Sequence, residues 1–157
     1  MDFASDVLAF GQRSRELVNS LGLTTPNPPS AELIFPADLS SLHQDEIGEQ
    51  LSYWASLCSY GHSKVAVLEG ALIIARQQLD EEIYMRLYAR QAHQGTATEK
   101  KAAVMATKAV RELSQKVATI EADLKVLKAV VMGYDMKNSA ISREITRRHN
   151  EKALRDG

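Results

Sequence analysis

The sequence predicts an all-α protein: a long antiparallel helical hairpin with a short N-terminal helix, assembling as a helical oligomer. Three observations carry that prediction. Apolar residues recur in strict four-three alternation from Ala106 through Val110, Leu113, Val117, Ile120, Leu124, Leu127, Val131, Tyr134, Asn138 and Ile141 to Ile145, the 3.5-residue repeat of one helix laid along another. A second seam of the same rhythm runs Ile47, Leu51, Trp54, Cys58, Gly61, Val65, Leu68, Leu72, Ala75, Leu79. Between them lies a short polar stretch around Gly95, and a short turn between long helices makes them antiparallel neighbours. With only 3 Phe and 1 Trp in 157 residues, the core must be aliphatic, which suits helix-on-helix packing.

Residues 3–20 place Phe3, Val7, Phe10, Leu17 and Leu21 on one face, with Ser14 in the missing heptad position. A helix this short is marginal alone and needs a surface to dock on. Gly22 is its expected C-cap. All four prolines fall between Pro26 and Pro36, so residues 22–38 read as a semi-rigid linker. Leu33, Ile34 and Phe35 are too apolar for a free linker and are expected to lie in a groove as an extended clip. Residues 1–37 thus form an N-terminal helix and arm.

The hairpin spans 38–149, with arms 38–92 and 96–149. Its first helix should start near Asp38 to Ser41, where Ser41 and Gln44 match a capping box. Gly95 should stop it, and Thr96 with Glu99 should cap the next helix. Each arm is about 45–50 residues, the second about 60 Å over its heptads. Residues 150–157 are polar and expected to fray. Gly61 falls opposite Val131 to Tyr134 when counted from the turn. It either makes room there for a large side chain or serves as a hinge. Asn138 either fixes register and oligomer state or lies beyond the packed region. Tyr53, Tyr60, Val67, Ala71 and Ile74 form a second stripe that a two-helix hairpin leaves wet, which calls for a third helix or another subunit.

Charge is segregated. Residues 38–95 carry eight Asp or Glu against four Lys or Arg, net −4, whereas residues 96–157 carry thirteen Lys or Arg against eight acids, net +5. The long basic helix is either a solvated face or a surface for an anionic partner. In the run Ser142-Arg143-Glu144-Ile145-Thr146-Arg147-Arg148, Arg143 and Arg147 share a helix face. They read either as favourable charge at a helix end or as a phosphate cluster.

Other chemistry is not indicated. The four histidines, His43, His62, His93 and His149, are scattered without metal-ligand spacing. Asp80, Glu81 and Glu82 diverge around a helix. There is no phosphate-binding loop or nucleophile with a nearby base. The sequence therefore reads as no enzyme, with no metal and no cofactor. The single Cys58 reads as a small buried side chain. The N-terminus has no signal-peptide pattern and no segment is apolar enough for a membrane span, so the expected compartment is cytoplasmic, the host's if the protein is phage-encoded.

Tyr53-Trp54 early in a long helix, Leu68-Glu69 after it, an aromatic-basic stretch from Tyr84 to Arg90, the turn at Gly95, and Ser142-Arg143 near the end of a second helix together resemble the phage UvsY-like recombination mediators. The resemblance covers roughly residues 46–148. It implies a homo-oligomer that binds single-stranded DNA and loads a RecA-type recombinase onto strands covered by single-strand-binding protein. One departure is that Asp80-Glu81-Glu82 stands where the family has basic DNA contacts. The expected DNA-binding residues are therefore Arg86, Arg90, Lys100, Lys101, Arg143, Arg147 and Arg148. The expected oligomer interface is Leu33, Ile34, Phe35, Tyr53, Tyr60, Val67 and Ile74. The competing readings are a coiled-coil adaptor or phage assembly protein without nucleic-acid binding, and an inhibitor whose acidic middle mimics DNA.

Overall fold

In the computed structural model, residues 3–89 and 95–156 are described. They form helices α1 (Phe3–Ser20), α2 (Gln44–Ala89), α3 (Ala97–Met105) and α4 (Lys108–Asp156), with a 3-10 turn at Leu39–Ser41, and contain no strand. The long pair α2 and α4 pack together along the predicted seams. Among seam positions, Ile47, Trp54, Cys58, Val65, Leu72, Ala75, Val110, Ile120, Leu124, Val131 and Ile141 are buried. Each Val, Leu or Ile side chain so buried contributes about 1.5–3 kcal/mol. Asn138 is half-buried in the seam, and its Oδ1 accepts no hydrogen bond from the described residues. It therefore lies inside the packing and not beyond it.

The chain divides into two compact units, Met1–Leu17 with Ala66–Lys125 and Val18–Val65 with Val126–Gly157. The division does not separate an N-terminal arm from a hairpin. In the first unit α1 joins the middle of the chain. A Cβ on Gly70 would collide with the Phe10 ring, and one on Gly11 would lie 3.8 Å from Val67 Cγ1. The stripe at Val67, Ala71 and Ile74 is thus covered by α1 of the same chain. A cavity of about 150 Å³ remains there, lined by Phe10, Arg13, Ile74, Gln78, Lys116 and Ile120 among others. Across α2 and α4, Arg76 pairs with Glu121.

In the second unit the antiparallel register is fixed by Gly61. A Cβ there would stand 2.6 Å from Val131 Cγ2, so the glycine makes room for Val131, as counting from the turn predicted. α1 ends as expected: Gly22 takes φ 71°, and Leu23 N–H and Gly22 N–H donate to the carbonyls of Val18 and Asn19, a Schellman cap.

Four sequence expectations are corrected. The helix start moves from Asp38–Ser41 to Gln44, because Asp38 caps a separate 3-10 turn through Ser40 N–H. Glu46, not Gln44, then reaches back to the His43 N–H, at 2.6 Å. The second arm is not one helix. Thr107 folds its hydroxyl and N–H onto the Val104 carbonyl, at 2.7 and 3.0 Å, and this local side-chain bond competes with the helical ladder. The break puts Val104 in the core and leaves Ala106, the predicted first seam residue, exposed. Residues 150–156 do not fray but continue α4, tied by the Arg147–Glu151 pair. The fourth correction concerns the arginines, below. The Thr96–Glu99 capping box is present in full. Arg90, His93 and the rest of 90–94 lie outside the described residues.

Candidate nucleic-acid interface

A phosphate-binding surface needs cations whose donors are not already taken. The run at the end of α4 was expected to supply three, but two are committed internally. Arg148 donates from Nη2 to the carbonyls of Leu39 and Ser40, at 2.9 and 3.0 Å, and from Nε to Glu144 Oε1 at 2.7 Å. It fastens α4 to the 3-10 turn. Arg147 grips Glu144 with two parallel bonds, 2.8 and 2.6 Å, and also pairs with Glu151. Arg147 and then Arg148 hold the Glu144 carboxyl down to about 2, while Glu144 and Glu151 push the Arg147 guanidinium up. Bidentate pairing of this kind is strong and specific. Both arginines keep their charge but present it beside carboxylates, so in this structure the cluster is a clasp.

The spacing signal for this was in the sequence: Glu144 stands three and four residues before Arg147 and Arg148, and Glu151 four after Arg147. The carbonyls of Leu39 and Ser40, more than a hundred positions away, left no such mark.

Arg143 differs. It is exposed on α4 and makes no ion pair with the described residues. Lys101 on α3 is likewise exposed and unpaired among them. Lys100 is half-buried on the same short helix. Arg86 is paired with Glu82 one turn before it, so the acidic run at 80–82 takes up part of the positive charge expected there. Lys100 and Lys101 belong to the first unit and Arg143 to the second. Sequence reasoning passed over Lys125, also exposed and unpaired among the described residues on α4.

Trp54 is not available for base stacking. It is 4% exposed and sits among Phe35, Tyr53 and Tyr134, with ring centroids 5.8, 5.1 and 5.9 Å away. The Lys137 ammonium lies 4.1 Å from its centroid, within cation–π range. Its Nε1 donates to Gln50 Oε1, and Gln50 Nε2 donates to the Ile34 carbonyl. The predicted clip is therefore seated in cis, through Phe35. Ile34 points outward, 87% exposed. Of the other proposed interface residues, Leu33 is half-buried, Tyr53 packs on Trp54, and Tyr60 carries Lys64 over its ring at 4.8 Å.

Cys58, His62 and Asp135 lie close together. His62 Nε2 is 3.2 Å from Asp135. Burial, and then hydrogen bonding to Asp135, pushes the Cys58 thiol up to about 11. A thiol this protonated is a poor nucleophile. No helix among the described residues is long and apolar enough to cross a membrane.

No protein-family model matches the chain, and neither the curated proteins nor the solved structures contain a match.

Proposed function

We propose that this protein is a non-enzymatic, homo-oligomeric single-stranded-DNA-binding mediator that helps load a RecA-type recombinase onto strands covered by single-strand-binding protein. The observation that carries the reading is the segregation of charge: residues 96–157 hold a net +5, and Lys101, Lys125 and Arg143 extend from α3 and α4 without a carboxylate partner among the described residues. Each subunit offers only a few such phosphate contacts. Repetition in an oligomer multiplies them by avidity, with little sequence preference and strong salt dependence. The family resemblance of residues 46–148 supplies the recombinase and the single-strand-binding protein as partners.

The test is fluorescence anisotropy of a labelled single-stranded oligonucleotide across a salt series, with light scattering of the same samples. Binding that weakens linearly with log salt, on a species heavier than one chain, is expected. Absence of binding at low salt, or binding indifferent to salt, would overturn the DNA reading.

The clasp of Arg147 and Arg148 on Glu144 and Glu151 favours a second reading, a coiled-coil adaptor or assembly protein that does not bind nucleic acid. Its mark is a stable oligomer that captures protein partners and leaves the oligonucleotide unbound.

A further inference from the structure

The helix α4 carries a second apolar stripe that no part of its own unit covers. Val126, Val130, Met132 and Met136 are exposed, the last three-fifths or more so at 65%. Ala129 is exposed beside them, and a Cβ on Gly133 would meet nothing within 4 Å. The stripe keeps the same four-three rhythm as the seam packed on α2, displaced around the helix. Four exposed large apolar side chains flanking two small residues on one helix face form a packing surface without a partner.

We infer that the α4 helix of a second copy covers this stripe, antiparallel, about a two-fold axis near residue 131. The inference rests on the homo-oligomer reading above and adds to it the surface and the direction. The pattern itself selects a second copy. A two-fold contact must be self-complementary, residue i meeting j while j meets i. The stripe is a palindrome in both spacing and size: Val126, Ala129, Gly133 and Met136 are separated by three, four and three positions and run large, small, small, large. Turned about its centre, Val126 faces Met136 of the second copy and Ala129 faces Gly133 of the second copy. The two small residues let the backbones approach, and Val130 and Met132 close the sides.

The charges fit the same direction. In an antiparallel pair Asp123 comes within one turn of Lys137 of the second copy, twice by symmetry, while Lys125 stands level with Lys137 of the second copy on the other side of the contact. A parallel pair puts Lys137 beside Met132 of the second copy and gains no opposite-charge contact. Lys137 also lies over Trp54, and an ammonium with three donors can serve both. A contact of a few helical turns falls at the small end of specific interfaces, roughly 1,200 Å² or less, so association is concentration-dependent.

The experiment is sedimentation of the full chain over a wide concentration range, wild type against Gly133→Leu. Leucine favours the helix and meets nothing in the single chain, so circular dichroism should be unchanged while self-association weakens about tenfold or more. Direction is read by disulfide formation. A mixture of Ala129→Cys and Gly133→Cys proteins should form the mixed disulfide in preference to either homodisulfide, with Cys58 buried and out of exchange. Unaltered association of Gly133→Leu, a preference for homodisulfides, or no disulfide at all overturns the inference and leaves oligomerisation through another surface standing. A wild-type protein that stays a monomer at every concentration overturns both. A Gly133→Leu protein that associates normally but loses capture of a different protein would assign the stripe to that partner and overturn the inference.

Discussion

Each of the two units has a segment laid over the long helices, and the two segments are held by different physics. In the second unit the cover is the clip at Phe35 with the 3-10 turn. It is held by an aromatic cluster on Trp54, by the Gln50 bond to the Ile34 carbonyl, and by Arg148 on two backbone carbonyls. In the first unit the cover is α1, and the contacts that seat it are a phenyl ring over Gly70 and Gly11 over Val67, beside a cavity. Among the described contacts, directional polar bonds fix the clip in one geometry, whereas the contacts that seat α1 are apolar and tolerate sliding. The clip is therefore part of the folded core, and α1 is a docked element whose opening costs less than global unfolding.

The largest expected effect tests the core side of that contrast. Trp54→Ala removes the side chain on which Phe35, Tyr53, Tyr134 and Lys137 converge and leaves Gln50 without its donor. A loss of about 3–5 kcal/mol is expected, read by chemical denaturation. Phe10→Ala deletes a ring of similar kind from α1. It should lower the global midpoint far less, while tryptic cleavage at Arg13 and Arg15 rises several-fold. Equal losses from the two would erase the distinction between core and docked cover.

The two glycines sharpen it. Gly61→Ala drives a methyl to 2.6 Å from Cγ2 of Val131, a buried, β-branched side chain with little rotamer freedom. Overpacking of about 1–3 kcal/mol, offset by up to about 1 kcal/mol of helix propensity, leaves a net loss in global stability that Val131→Ala should restore. Gly70→Ala makes the same collision with the ring of Phe10, but that ring sits on a docked helix that can lift. Its expected signature is release of α1 in limited proteolysis with the denaturation midpoint nearly unchanged.

These contrasts explain which parts of the fold were legible. Whatever obeys a short-range rule could be read from the sequence. The seams follow the heptad, Gly22 follows the left-handed cap, and Thr96 with Glu99 follows the capping box. Even the Gly61–Val131 contact follows from counting back from the turn. The break at Ala106 and Thr107 could not be read, because no proline or glycine marks it and the apolar rhythm runs straight through. The start of α2 was misplaced because Ser41 and Gln44 imitate a capping box that Asp38 and Glu46 pre-empt. The candidate site was the least legible part. A sequence of arginines shows charge but not which acceptor each guanidinium finds, and the acceptors of Arg148 come from a turn far away in the chain.

Arg143 and Arg148 turn that lesson into an experiment. Arg148→Ala leaves the carbonyls of Leu39 and Ser40 without a charged donor and should cost about 1.5–3 kcal/mol, with no change in the salt dependence of oligonucleotide binding. Arg143→Ala should leave stability within about 0.5 kcal/mol and lower the salt slope by about one per engaged subunit. The reverse pattern would mean that the clasp opens to bind DNA.

The smallest effect is the pH dependence of the clasp. Glu144 is held at about 2 in the folded protein against an ordinary 4.5, first by Arg147 and then by Arg148. A depressed carboxyl stabilises the fold fully above its unfolded value, and that stabilisation is lost as pH falls through the folded one. The contribution is therefore constant above about pH 5 and disappears between there and about pH 2. Glu144→Gln cannot titrate, so the stability difference between wild type and this variant should shrink steadily over that window and stay flat at neutral pH. The exposure of Arg147 to solvent and salt keeps the whole effect modest. A difference that persists unchanged down to pH 2 would show that the arginines grip Glu144 no more tightly folded than unfolded, and that the carbonyls of Leu39 and Ser40 alone fasten the end of α4.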